Sequence, residues 1–242
     1  MHDDLTVLFE DNHCLAVSKP APLLTQAPGE IPSLEKKVKS YLREKHEKKG
    51  RVYLGIPHRL DRGATGLVLF AKQSKSARRL AEQFAQRTVQ KTYWALVEGI
   101  VEPERGTWED WLVRDENQAR AERASASAPG AKLAVLNYHR LAQSEHWSLL
   151  ELELVTGRYH QARVQAALRG APIVGDFLYG AQLPFGEPTS EARQQIFALH
   201  ARSLTFLHPI RYEPITLVAP LSTLWWQTVG EGALLELGLS LQ

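Results

Sequence analysis

The sequence predicts an α+β fold on a mixed, largely antiparallel sheet with flanking helices. Three observations predict it. Strand-like runs outnumber helical ones along the 242 residues. The two longest, 134 to 142 and 147 to 155, are joined by a short turn at 143 to 146, the mark of an antiparallel hairpin. Helical periodicity is confined to a few short stretches, with no internal repeat, heptad or linker. The length fits one large mixed domain or two small ones. Without a linker, the reading is a single domain over 1 to 242.

Each element has a local reason. Leu5 to Glu10 and Cys14 to Ser18 read as strands about a turn at Asp11-Asn12. Lys19-Pro20-Ala21-Pro22 ends the second, because proline cannot donate to a ladder. Ser33 can cap a helix whose apolar residues Leu34, Val38, Tyr41 and Leu42 fall at helical spacing, and Gly50 suits its stop. Leu67 to Ala71 is an apolar strand. Ser74 to Arg87 is an amphipathic helix with Ala77, Leu80, Ala81, Phe84 and Ala85 on one stripe. Thr92 to Glu98 is a strand ending at Gly99. From Ile100 to Lys132 the pattern loosens, which predicts a hairpin or a mobile insertion. Past the long hairpin, Gly157 opens a short helix from about Tyr159 to Arg169. Leu204 to Leu207 and Ile215 to Val218 are closing strands, and Thr223 to Val229 is a last helix.

Composition narrows the class. Apolar residues make up 44 % and charged residues 23 %, enough for a packed core. No apolar run approaches the roughly 20 residues that cross a bilayer, so no membrane partner is expected. Met1-His2-Asp3-Asp4 is acidic where a secretory signal is basic. The single cysteine, Cys14, fits a reducing, cytoplasmic setting. Net charge is +2, yet residues 36 to 51 hold eight Lys/Arg against two Glu. Such a stretch is either a phosphate-attracting patch or a solvated helix face.

The chemistry concentrates in a few strings. The first is His58-Arg59-Leu60-Asp61-Arg62-Gly63-Ala64-Thr65-Gly66, an acid between two arginines on an irregular segment before a strand. A nearby cation keeps a carboxylate ionised, and an ionised carboxylate can serve covalent catalysis. Alone, such an acid is more often a surface ion pair. The second is Thr156-Gly157-Arg158-Tyr159-His160-Gln161-Ala162-Arg163-Val164, polar heads near a helix start, which favours anions. It leads to Gly175-Asp176, whose context reads as a turn. The third is Lys91-Thr92-Tyr93, where alternation sets Tyr93 with Ala95 and Val97 and its ring could stack on a base. The fourth, Leu199-His200-Ala201 with His208-Pro209, reads as structural support. No histidine pair has zinc-protease spacing, and no metal is expected.

These strings, in this order, resemble the RluA family of pseudouridine synthases over nearly the whole chain. The resemblance implies a mixed sheet around a central catalytic cleft and the isomerisation of uridine in rRNA or tRNA. Asp61 would be the catalytic acid, Arg163 the arginine that pairs with it, and Tyr93 the ring against the uracil. Arg59 would fill the space of a flipped nucleotide. His58, Arg62, Arg158 and His160 would contact RNA. No cofactor and no obligate protein partner is implied, and the lack of an extra apolar face leans to a monomer. The chain starts at the family's opening strands, Val7 to Asn12 and Val17 to Pro20, which leaves no room for the S4 RNA-binding domain of some members. Tyr159, Ala162, Gln165 and Ala171 depart from the usual residues without touching Asp61, Arg163 or Tyr93, and Tyr159 with Ala162 reads as a size swap in the packing around Arg163. A hydrolase would want a second poised carboxylate. A binding-only relative would not need Asp61, Arg163 and Tyr93 intact.

Overall fold

The computed structural model describes residues 5–47 and 49–240. Met1 to Asp4, whose acidity is unlike a secretory signal, and Lys48 of the basic stretch lie outside them. In chain order the strands are β1 Thr6–Glu10, β2 Cys14–Lys19, β3 Thr65–Ala71, β4 Gln90–Glu98, β5 Arg105–Asp115, β6 Arg120–Arg123, β7 Lys132–Gln143, β8 Trp147–Leu154, β9 Leu199–Leu207 and β10 Pro214–Val218. The helices are α1 Leu34–Lys45, α2 Ser74–Gln86, α3 Gln161–Ala167, α4 Thr223–Val229 and α5 Glu231–Glu236. The chain divides into two compact units, Met1–Lys91 with Ala201–Pro220, and Thr92–His200 with Leu221–Gln242.

In the first unit β1 pairs β2, β2 pairs β3, and β10 pairs β9, all antiparallel. One buried cluster joins Cys14, Ala16, Leu67, Leu69, Leu204 and Phe206 to Leu80 of α2. Helix α1 buries Leu34, Val38 and Leu42, the stripe its periodicity predicts, and Ser33 accepts from Lys36 N–H at 3.4 Å as its cap. Its stop differs from expectation. The helix ends at Lys45, and the left-handed turn falls on Glu47 (φ 46°) rather than on Gly50. The Asp11-Asn12 turn is built by Asp11, whose Oδ1 accepts the amides of His13 and Cys14 at 2.8 and 2.7 Å.

His208 supports that turn, as its motif suggested. Its Nδ1 accepts the amides of Ile210 and Arg211, so the proton sits on Nε2, which lies 2.8 Å from Asp11 Oδ2. Burial pushes the neighbouring Cys14 thiol up to about 12. The cysteine is therefore an inert core thiol here.

In the second unit β4 pairs β8, β8 pairs β7, β7 pairs β5, and β5 pairs β6, again all antiparallel. The β7–β8 hairpin is the one the sequence predicts. Of the two readings for 100 to 132, the hairpin forms, as β5 and β6. Helix α3 packs Val164 against Leu112, Ala121 and Ala134 of β5, β6 and β7. Helix α5 was not expected, because Gly230, Gly232 and Gly238 flank and interrupt it. The α+β class holds in both units. Among the described residues, no helix is long and apolar enough to cross a membrane.

Candidate active site

The first unit carries the Asp61 loop. Leu60 is buried, Asp61 and Arg62 are half-buried, and Arg59 is exposed. Ala64 N–H donates to Asp61 O at 3.3 Å, so the chain turns just after the acid. It then enters β3, whose second residue, Gly66, has φ +106°. A Cβ there would collide with the Ala201 main chain, so only glycine lets the loop close onto β9.

Lys19 holds one flank of the acid. It is fully buried at the end of β2, and its Nζ donates to Pro20 O at 3.0 Å, Leu23 O at 2.7 Å and Arg62 O at 3.1 Å. Burial pushes its ammonium down to about 7, against the pull of the Asp61 carboxylate and with the help of Arg62. His58 lies on the support side of the loop. Its Nε2 accepts Leu69 N–H at 2.9 Å, and its ring stacks on Phe84 at 4.6 Å. Burial, aided by the Lys91 charge, pushes its pKa down to about 3. His58 is thus a neutral strut under the strand, whereas Arg59 is open to solvent.

The second unit carries Arg163 and Tyr93. Helix α3 starts later than the sequence suggests. Gly157 does not open it; His160, left-handed at φ 51°, precedes the first helical residue Gln161. Every residue from Gln161 to Ala166 is buried. Gln161 Oε1 accepts from the Thr156 hydroxyl at 2.7 Å and from Arg158 N–H at 3.0 Å, which sets the entry angle. Gln165, one of the unusual residues, donates to Trp108 O and Asp110 on β5.

Arg163 is 5 % exposed and is held as a fork. Its Nε and Nη2 donate to the two carboxylate oxygens of Asp176 at 2.6 and 2.8 Å. The guanidinium lies over the rings of Phe197 at 4.3 Å and Tyr179 at 5.0 Å. Asp176 does sit in a turn, just before the 3₁₀ segment Phe177–Tyr179, but its carboxylate is buried and paired. Gly175 (φ +84°) brings it there, since a Cβ would meet Ile196 O at 2.5 Å. Tyr93 is half-buried opposite Leu152 on β4, and Ala95 and Val97 are fully buried.

Two further residues expected to contact RNA also bond within the protein. Arg158 Nε donates to Leu133 O at 2.9 Å. His160 Nδ1 lies 3.0 Å from the Tyr179 hydroxyl, and its ring stacks on Tyr159 at 3.8 Å. Tyr159 in turn donates to Ala119 O and lies under Arg114 at 4.6 Å. The basic stretch is also partly committed. Lys36 donates to Gly29 and Ile31 carbonyls, Lys39 pairs with Glu35, and Lys45 pairs with Glu10. Burial pushes the Glu10 carboxyl up, but hydrogen bonds from Lys45, Lys72, Tyr41 and His46 hold it well below the usual range. Arg43, Lys49 and Arg51 are exposed.

Sequence reasoning missed Lys19, Asp176 and Tyr179 as members of these clusters. The first two left a signal. A lysine closing Leu15-Ala16-Val17-Ser18 and an acid inside Ile173-Val174-Gly175-Asp176-Phe177-Leu178 are charges in apolar runs. Such charges are buried and must be paired.

Comparison with known proteins adds an independent finding. Residues 13–168 match the family model described as RNA pseudouridylate synthase. The dual-specificity RNA pseudouridine synthase RluA of Vibrio vulnificus is 34 % identical over 210 residues, covering 84 % of this chain and 78 % of the relative. The ribosomal large subunit pseudouridine synthase D of Xanthomonas campestris is 35 % identical, covering 89 % of this chain and 66 % of the relative. Among solved structures, human RNA pseudouridylate synthase domain containing 4 superposes with a TM-score of 0.75 at 25 % identity, covering 98 % of this chain and 94 % of that one.

Proposed function

The chain belongs to the RluA family of RNA pseudouridine synthases, and we propose that it isomerises uridine in ribosomal or transfer RNA, with Asp61 as nucleophile or base. The observation that carries the assignment of Asp61 is its placement. It is the one acid of the family-like string, and the chain on its C-terminal side is anchored by Lys19 and Leu23 through Arg62 O. A ribosomal large subunit enzyme and a tRNA enzyme among the relatives support the two substrate classes.

The reaction breaks the bond from C1′ to N1, turns the uracil and forms a bond from C1′ to C5. The C5 proton leaves and N1 gains one, so atoms balance without a redox partner or group donor. No cofactor is needed. The target nucleotide must leave its stack to be reached. In this reading exposed Arg59 fills the vacated space, Tyr93 stacks on the base, and Arg163 is the catalytic arginine. Arg62 and the exposed Arg43, Lys49 and Arg51 meet phosphates. Both units belong to one catalytic domain acting in the cytoplasm as a monomer.

Tritium release from RNA carrying 5-tritiated uridine tests the proposal. Wild type releases tritium from unmodified transfer or ribosomal RNA, and Asp61→Asn releases none above background. Release that survives in Asp61→Asn sinks the assignment of the acid. Free uracil in the supernatant would mean hydrolysis in place of isomerisation.

A further inference from the structure

We propose that Thr25 is a positioning residue for the Asp61 carboxylate and acts through the main chain of Leu60. The proposal rests on the reading of Asp61 as the reacting acid. Thr25 is 2 % exposed. Its hydroxyl accepts Leu60 N–H at 3.0 Å and donates to Leu60 O at 3.1 Å. One side-chain atom therefore closes both backbone groups of the residue just before the acid. A hydroxyl is the smallest side-chain group that can do so, because it is donor and acceptor at once.

Thr25 is itself anchored. Its carbonyl accepts Glu35 N–H at 3.0 Å, and Leu24 O accepts Leu34 N–H at 2.8 Å. These are amides of the first turn of α1, which lack intrahelical partners and must bond outside the helix. The start of α1 thus fixes residues 24 and 25, and the Thr25 hydroxyl carries that fixity to Leu60. On the other flank Arg62 O accepts from Leu23 N–H at 3.0 Å and from Lys19 Nζ at 3.1 Å. The stretch 19 to 25 therefore grips the chain on both sides of Asp61. Leu60 is apolar and offers no chemistry, so the double hydrogen bond serves its neighbour's placement. Displacing a reacting group by about 1 Å can cost on the order of a hundredfold in rate.

The test compares wild type, Thr25→Val, Thr25→Ser and Asp61→Asn, on unmodified transfer RNA and large-subunit ribosomal RNA transcripts. It is run at a temperature where circular dichroism shows all four folded. Valine keeps the shape and removes the hydroxyl; serine keeps the hydroxyl. The expected result is a turnover roughly ten- to a hundredfold lower in Thr25→Val, with KM for RNA within about threefold of wild type. Thr25→Ser regains turnover to within about threefold. Hydrogen exchange at the Leu60 amide speeds up in Thr25→Val and stays slow in Thr25→Ser, with or without RNA. Unchanged turnover in Thr25→Val, equal impairment by Val and Ser, or unchanged exchange at Leu60 would each overturn the proposal. Should Thr25→Val fail to fold, Thr25→Ala against Thr25→Ser reads out the same contrast. Full turnover in Asp61→Asn is a different failure, that of the acid's assignment, and the Leu60 exchange result separates the two.

Discussion

The two units hold their functional side chains in opposite ways. In the first, the grip is on the main chain. Leu60 and Arg62 are hydrogen-bonded through backbone atoms by Thr25, Leu23 and Lys19. In the second, the grip is on the side chain. The Arg163 guanidinium is forked by Asp176 and lies over two aromatic rings. The difference follows from the residues. An aspartate has a short side chain, so fixing its backbone aims its carboxylate. An arginine has a long stem and about 2 kcal/mol of rotamer entropy to lose, so it must be held at its far end. Damage should therefore spread differently. Several weak bonds share the load in the loop, whereas a bidentate ion pair holds the head of Arg163.

The largest effect is expected at that pair. Asp176→Asn keeps the shape but leaves a guanidinium that is 5 % exposed without its bidentate carboxylate. Breaking a buried pair from one side costs about 3–5 kcal/mol. Urea unfolding should show a loss of that order. The double variant Arg163→Met/Asp176→Asn should lose less than the single one, because no buried charge remains. A cost below about 1 kcal/mol would mean that the rings alone hold the arginine, and the contrast between the units would weaken.

Legibility follows the same divide. Local features were open to sequence reasoning: the Ser33 cap, the β7–β8 hairpin, the Asp11 turn and part of the α2 stripe, where Ala77, Leu80 and Phe84 face the core but Ala81 and Ala85 are exposed and Ser76 is buried in their stead. Each is decided by residues within a few positions of one another. The Asp61 string was legible because its residues are contiguous. What escaped was long-range pairing. Asp176 lies 13 positions from Arg163, and Thr25 lies 35 from Leu60. No spacing rule links them. Helix termini failed for another reason. Left-handed turns fell on Glu47 and His160, residues with side chains, where glycine was the expected signal. Neighbouring bonds support that turn at His160, through Tyr179 and Tyr159.

An intermediate effect is expected from acid, and it bears on the main-chain grip. The folded pKa of His58 is about 3, against an ordinary value of 6.5. Between those values the unfolded chain binds a proton that the folded chain refuses. Stability therefore rises with pH across that window, is fully present above about 6.5, and is lost as pH falls toward 3. Protonation at Nε2 would also break the bond from Leu69 N–H. His58→Gln offers an acceptor that does not titrate. Melting temperatures measured from pH 7 down to pH 4 should fall less steeply in His58→Gln than in wild type. Parallel slopes would mean that the strut under β3 contributes nothing to acid sensitivity.

The smallest effect sharpens the comparison most, because Tyr179 touches both kinds of grip. Its ring lies 5.0 Å from the Arg163 guanidinium. Its hydroxyl accepts Ala121 N–H on β6 at 2.8 Å and lies 3.0 Å from His160 Nδ1. Tyr179→Phe removes only the hydroxyl and should cost about 1 kcal/mol, the usual worth of a hydrogen bond. If Arg163 is held by side-chain contacts, the phenyl ring suffices and turnover stays within about twofold of wild type, well under 1 kcal/mol of barrier. Tyr179→Leu removes the ring and should lower turnover further. Equal losses of turnover in the two variants would place the hold on Arg163 in the hydroxyl's bonds to the β6 backbone. The second unit would then grip its arginine through the main chain, as the first grips its acid.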